Sequence, residues 1–162
     1  MSSTDWSIWK PKERATLCFI EQGDQLLLIE KKRGLGAGKV NAPGGRIEKD
    51  ETAWQAAIRE TEEEVGVTPL EIRQLGRLYF DFRDGYSLHC TVFLATGFQG
   101  DVIETDEARP FWSHRNELPY QRMWQDDIHW LPHLLREETF EGWFEFDGDT
   151  MLSHRVVSPG DF

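Results

Sequence analysis

Glu60, Glu63 and Glu64 stand close together in the run Arg59-Glu60-Thr61-Glu62-Glu63-Glu64-Val65-Gly66. At positions i, i+3 and i+4 of a helix these three carboxylates share one patch. Neighbouring like charges on a helix cost about 0.2–0.5 kcal/mol per pair, so helix stability does not explain the cluster. A hard divalent cation would relieve the repulsion. Oxygen-only ligands suit Mg2+ or Mn2+, and Mg2+ commonly takes one or two carboxylates together with substrate phosphates. Arg59 can pair with a neighbouring carboxylate and fix its rotamer. An acidic run on a helix is more often a solvated face, so the weight of the reading rests on what surrounds these residues.

The frame around them is specific. Thr52 with Gln55 fits a capping box, Trp54 to Val65 contains no Gly or Pro, and Gly66 suits the left-handed residue that ends a helix. Trp54, Ala57, Ile58, Thr61 and Val65 share a largely apolar face, which predicts a helix packed on a core opposite the acidic patch. Gly45, Glu51, Arg59, Glu60, Glu63, Glu64 and Gly66 fall in the order glycine, five residues, glutamate, seven residues, RETEEEVG. This spacing resembles the signature of the Nudix family, G-x5-E-x7-R-E-U-x-E-E-x-G-U with U aliphatic. Thr61 is the one departure, and its methyl group is expected to pack where an aliphatic side chain would.

Other elements must carry that loop and helix. Arg14 to Ile20 and Gln25 to Glu30 are apolar runs separated by the turn signal Glu21-Gln22-Gly23-Asp24, which predicts a hairpin. Residues 31–39, KKRGLGAGK, are basic and glycine-rich in an acidic chain. They read either as a surface loop or as a loop approaching phosphate, since glycines admit close backbone approach and lysines supply charge. Val40 to Pro43 then leads into a Gly44-Gly45 turn. Leu75 to Phe82 and Leu88 to Thr96 form a second strand pair around Asp84-Gly85. Arg109 to Trp112 reads as a short strand, Arg115 to Leu118 as a short helix, and Asp126 to Leu135 as an amphipathic helix containing Pro132. Phe140 to Phe146 and Met151 to Val157 suggest a closing hairpin, at an edge or in a dimer contact. Paired strands with two helices between them indicate an α+β fold with a mixed sheet.

Composition narrows the partners. The 162 residues, 39% hydrophobic and 12% aromatic, fit one globular domain over 1–162, with 1–12 and 158–162 peripheral. A net charge of −11 argues against nonspecific binding to nucleic acid polymers or anionic membranes. No run approaches the roughly 18 apolar residues of a membrane span, and the first fifteen residues lack the apolar core of a secretory signal. Cys18 and Cys90 lie in apolar strands without metal-ligand spacing, which predicts buried, reduced thiols and a cytoplasmic protein.

The resemblance extends over roughly residues 14–156. KKRGLGAGKVNAPGG, GRLYFDF, ETDEARPFW, MWQDDIHWLPHLL and FEGWFEFDGDTML are similar to the MutT-homologue branch of the Nudix family, which hydrolyses oxidised purine nucleoside triphosphates such as 8-oxo-dGTP and 2-oxo-dATP. It implies the Nudix fold, an α/β/α sandwich around a mixed sheet. It further implies that Asn41 hydrogen-bonds the purine, that Asp126 and Asp127 read its edge and that Trp124 stacks on it. By the same resemblance Thr16, Lys31, Phe80, Phe82 and Leu88 line the nucleotide pocket. Mg2+ would be held by Glu60, Glu63, Glu64, Glu107 and the Gly44 carbonyl, with Arg59 in support and Glu60 the first candidate for general base. Read without the resemblance, Asp126-Asp127 also fits a helix cap and Trp124 also fits core packing; Trp54, Trp112, Trp130 and Trp143 read as core or wall. The chain departs from the mammalian-type loop at Leu35, Val40, Ala42 and Pro43, where smaller residues stand. A monomer or weak homodimer acting on a small nucleotide is expected. Two alternatives stay open: a Nudix hydrolase for ADP-ribose, a dinucleotide or an ordinary nucleoside triphosphate, and a nucleotide-binding module without chemistry.

Overall fold

A computed structural model describes residues 4–159. In chain order the elements are β1 (Glu13–Gln22), β2 (Gln25–Lys31), β3 (Val40–Asn41), β4 (Gly44–Arg46), α1 (Ala53–Val65), β5 (Thr68–Phe82), β6 (Ser87–Gln99), β7 (Ala108–His114), α2 (Asp127–Leu135), β8 (Phe140–Asp147) and β9 (Thr150–Val157). The strands form one mixed sheet in the order β3-β2-β1-β6-β5-β8-β9, with β4 on β1 and β7 on β2. β1 runs parallel to β6 and β5 parallel to β8, while the other pairings are antiparallel. The α+β class and the mixed sheet with two helices are as the sequence indicates.

The helices lie on opposite faces because the central strands are apolar on both sides. Cys18, Ile20, Leu27 and Ile29 pack with Ala57 and Val65 of α1. Phe19, Leu26 and Leu28 pack with Trp130, Leu131 and Leu134 of α2 and with Phe140, Phe144 and Phe146 of β8. β1 and β2 diverge along their length. β1 pairs with β2 over Ile20–Gln22 but with β4 over Ala15–Leu17, while β2 takes β3 at Ile29 and Glu30. The Cys18 N–H donates to the Pro43 carbonyl at 2.8 Å, so residues 40–46 fill the wedge between the two strands. That wedge is where the site forms.

Gly44 and Gly45 do not form a turn; they are strand residues paired with Leu17 and Thr16. A Cβ on Gly44 would run into the Thr16 carbonyl oxygen, so the close approach of β4 to β1 requires glycine there. The predicted capping box of α1 is present, and Gly66 is left-handed at φ 78° with its N–H on the Glu62 carbonyl. The packed face of α1, however, comprises Ala56, Ala57, Thr61, Glu64 and Val65, turned toward Glu64 relative to the face the periodicity selects. Trp54 is consequently 53% exposed and is neither core nor wall. Thr61 does more than pack a methyl group, since its buried hydroxyl donates to the Ala57 carbonyl at 2.7 Å. Arg115 to Leu118 is a turn, and the helical segment there is a 3-10 turn at Tyr120–Arg122, just beyond Pro119. Pro119 disfavours helical backbone in the residue before it.

Trp130 is fully buried, Trp112 packs beside Phe98, and Trp143 stacks on Tyr79 at 5.6 Å. Part of the N-terminal segment is anchored: Thr4 Oγ1 and Trp9 Nε1 both donate to the Asp81 carboxylate, at 2.7 and 3.2 Å. The outermost residues of both expected peripheral segments, 1–3 and 160–162, lie outside the described residues. Cys18 and Cys90 are buried and free. The β8–β9 hairpin places β9 at the sheet edge. Among the described residues no helix is long and apolar enough to cross a membrane.

Candidate active site

α1 crosses the wedge with its acidic patch facing β4. Glu60, Glu64 and Glu107 each present a carboxylate oxygen within 4.8 Å of the others. Glu64 is buried, with the Gly44 N–H donating to its Oε1 at 3.0 Å. Burial, then the charges of Glu60 and Glu107, push its carboxyl up to about 8 against the opposing influence of the Gly44 N–H and Lys31. Burial also raises Glu60, while Arg59 acts in the other direction. Three oxygen donors crowded into a partly buried space, two of them driven toward protonation, fit a hard divalent cation.

Arg59 organises the other side of the cluster. Its Nε and Nη2 hold both oxygens of Glu51 at 2.7 and 2.9 Å, its Nη2 also reaches the Arg46 carbonyl at 3.0 Å, and its Nη1 binds Glu60 at 2.8 Å. The guanidinium beside Glu51 holds that carboxyl down at about 2. Glu51 therefore has a concrete role that its place in the motif did not specify: it aims Arg59 at Glu60. Glu63 is not brought into the trio. Its half-exposed side chain meets Arg59 Nη1 at 3.3 Å.

Glu107 arrives from the loop before β7. Thr105 Oγ1 donates to the Glu64 carbonyl at 2.7 Å and the Ile103 N–H to the Val65 carbonyl at 2.9 Å, tying this loop to the end of α1. The basic loop between β2 and β3 is fixed to it: the Lys32 N–H donates to the Glu107 carbonyl at 3.0 Å, Lys32 Nζ to Glu104 at 2.6 Å, and Arg33 approaches Glu107 at 3.6 Å. The loop turns on Gly34, Gly36 and Gly38, all at φ between 82° and 89°.

Beside the carboxylates opens a pocket of about 750 Å³, mouth included. All of Thr16, Lys31, Asn41, Gly44, Phe80, Phe82, Leu88, Trp124, Asp126 and Asp127 line it, together with Glu64 from the acidic cluster. Its walls are mainly apolar, yet Thr16 Oγ1, Asp126 Oδ1 and Asp127 Oδ2 are buried without a hydrogen-bond partner. Such orphans are rare in native proteins and costly unless a ligand satisfies them. Asp126 stands at the start of α2 but makes no side-chain cap; its Oδ2 instead accepts from Trp130 Nε1 at 2.7 Å. Burial pushes Asp126 up to about 6, and burial plus the neighbouring Asp126 push Asp127 well above the usual carboxylate range. Asn41 Oδ1 accepts from the Ala42 N–H at 2.8 Å, which leaves its amide NH2 as the donor it can offer.

Trp130, read from the sequence as core or wall, is both fully buried and part of the pocket lining, and Cys90, read as a buried thiol, lines the pocket as well. What the sequence does not specify is the indole N–H on Asp126, although the i, i+4 spacing is compatible with it. His89 is set apart from this chemistry, stacked on Tyr79 at 4.7 Å and hydrogen-bonded to the Leu78 carbonyl at 3.0 Å.

Comparison with known proteins places the chain in a family. The family model described as NUDIX domain matches residues 11–134. The oxidized purine nucleoside triphosphate hydrolase of Danio rerio is 39% identical over 143 residues, covering 87% of this chain and 92% of its own length. The protein of the same description from Mus musculus is 37% identical over 149 residues, covering 91% and 96%. Among solved structures, the mutator MutT protein from Bacillus halodurans superposes with a TM-score of 0.80 at 28% identity, over 89% of this chain and 97% of that one. With the family model spanning the wedge, α1, the Glu107 loop and α2, the chain belongs to the Nudix family.

Proposed function

We propose that this chain is an Mg2+-dependent pyrophosphohydrolase of oxidised purine nucleoside triphosphates, such as 8-oxo-dGTP and 2-oxo-dATP, which releases the nucleoside monophosphate and pyrophosphate and so clears oxidised bases from the nucleotide pool. The observation that carries this reading is the trio of unpartnered atoms, Thr16 Oγ1, Asp126 Oδ1 and Asp127 Oδ2, in an apolar pocket that borders the acidic cluster. The names of the zebrafish and mouse relatives, similar along most of their length, support the same substrate class.

The chemistry follows from the residue types. Trp124 offers an aromatic face to a flat base, and Phe80, Phe82 and Leu88 exclude water beside it. Asn41 donates from its amide. Asp127, held protonated, donates, while an ionised Asp126 accepts. A carbonyl and a ring N–H gained on oxidation match that donor and acceptor pair, and an unmodified purine leaves one of them unpaired. The triphosphate then extends past Lys31 toward Glu60, Glu64 and Glu107, with Glu63 and the Gly44 carbonyl as further ligands. The bound cation would neutralise phosphate charge and favour ionisation of the attacking water. Glu60, oriented by Arg59, is the carboxylate we assign to take the proton of that water.

Incubation with Mg2+ and a panel of 8-oxo-dGTP, 2-oxo-dATP, dGTP, dATP and ADP-ribose tests the proposal. The expected result is pyrophosphate and monophosphate from the oxidised purines first. AMP from ADP-ribose as the dominant product would reassign the substrate, and nucleotide binding without any metal-dependent turnover would reassign the chain as a binding module.

A further inference from the structure

Lys39 lies outside both the acidic cluster and the pocket lining, yet it touches the one aromatic ring assigned to stack on the base. Its ammonium sits 5.1 Å from the centroid of Trp124 and makes an ion pair with Asp149, in the turn between β8 and β9, at 3.2 Å. Trp124 lines the pocket, and Lys39 holds that ring without being one of the residues that line it. Three further residues stand against that ring. Phe82 and Phe146 meet it edge-on at 6.1 and 5.6 Å, and a Cβ on Gly36 would come within 2.8 Å of its Nε1.

We propose that Lys39, steered by Asp149, is a positioning residue that presents Trp124 to the base and thereby sets affinity for the purine rather than for the phosphates. The inference rests on the assignment of Trp124 as the stacking residue. A flexible lysine would ordinarily project into water. Here its charge is held between a carboxylate and an aromatic face, both of which attract it. The basic loop is thereby fastened at two ends, through Lys32 and Arg33 to the Glu107 loop and through Lys39 to the β8–β9 turn. Trp124 is gripped between the second anchor and the phenylalanines.

The test compares Lys39→Met, Lys39→Arg and Asp149→Asn with two substrates, 8-oxo-dGTP and the baseless 2-deoxyribose 5-triphosphate. Lys39→Met should raise KM for 8-oxo-dGTP by about three- to tenfold with kcat unchanged, the scale of a partly exposed cation–π contact. Lys39→Arg should restore KM, and Asp149→Asn should fall between. For the baseless triphosphate all should match the unsubstituted chain. An equal penalty on both substrates would mean that Lys39 acts on the phosphates, and no penalty on either would mean that the contact does not position Trp124; both overturn the proposal. On a Trp124→Ala background Lys39→Met should be silent, and a persisting effect there also overturns it. Failure of the substrate assignment would instead appear as a lack of oxidised-purine preference in the unsubstituted chain, whatever the Lys39 variants do.

Discussion

The carboxylate carbon of Glu60 lies 2.5 Å from the point where a Cβ on Gly45 would stand. The glycine that opens the family motif is therefore required by the carboxylate fifteen residues later, because any side chain at 45 would push Glu60 out of the acidic cluster. Gly45→Ala is expected to lower kcat by roughly 10- to 100-fold, the scale of a displaced catalytic group, while Tm changes by only a few degrees. Steady-state kinetics beside thermal unfolding checks this. Near-normal kcat would show that Glu60 can move without consequence.

Glu63 and Glu64 are adjacent in sequence but unequal in place, one half-exposed on Arg59 and the other buried on the Gly44 N–H. Glu64→Gln should cost at least about 100-fold in turnover, and Glu63→Gln about 10-fold, as for a group at the margin of a metal site. The opposite ranking would mean that the metal-loaded site draws Glu63 inward past Glu64.

Arg59 joins Glu51, Glu60 and the Arg46 carbonyl through a single guanidinium fork. A lysine cannot reproduce that fork. Arg59→Lys is expected to weaken Mg2+ by about 10- to 100-fold, by analogy with other supporting partners of metal ligands. Mg2+ titration of turnover measures it, and an unchanged Mg2+ requirement would show that Glu60 keeps its orientation without Arg59.

The metal-free chain should lose stability as pH rises. Glu64 is pushed up to about 8 and Asp126 to about 6, both above their ordinary values near 4, so the folded state binds more protons than the unfolded one between about pH 4 and 8. Their contribution is complete below the unfolded pKa and is lost as pH rises through the folded one. Glu51, held at about 2, acts only below that window. Tm in EDTA should therefore fall from pH 5 to pH 8.5, and Mg2+ should raise Tm more at the upper end. A Tm that rises over this interval in EDTA, or an Mg2+ effect larger at pH 5, contradicts the burial assigned to Glu64.

The legible parts were those set by local chemistry. Thr52, Gln55 and Gly66 mark both ends of α1, Gly23 and Gly85 mark two hairpins, and the spacing from Gly45 to Gly66 marks the cluster. What escaped depends on distant partners. Gly44-Gly45 reads as a turn until β1 is known to run beside it, and Trp54 reads as buried until α1 is seen to turn Glu64 toward the sheet. Glu51 and Trp130 acquire meaning only when Arg59 and Asp126 are placed. The residues lining the pocket come from β1, β2, the β3–β4 segment, β5, β6 and the start of α2, a gathering that no local pattern encodes. Only the resemblance to a family names these residues together from the sequence, and the structure shows that they line one pocket.

The most direct test is the ratio of kcat/KM for 8-oxo-dGTP over dGTP, measured with Mg2+ in the unsubstituted chain and in Asp126→Asn, which keeps an acceptor for Trp130 but removes the titrating carboxyl. The expected ratio is about ten or more, equivalent to about 1.4 kcal/mol, falling toward one in the variant while dGTP turnover persists. A ratio near one in the unsubstituted chain, or a preference that survives the substitution, would contradict the assignment of Asp126 and Asp127 as the readers of an oxidised base.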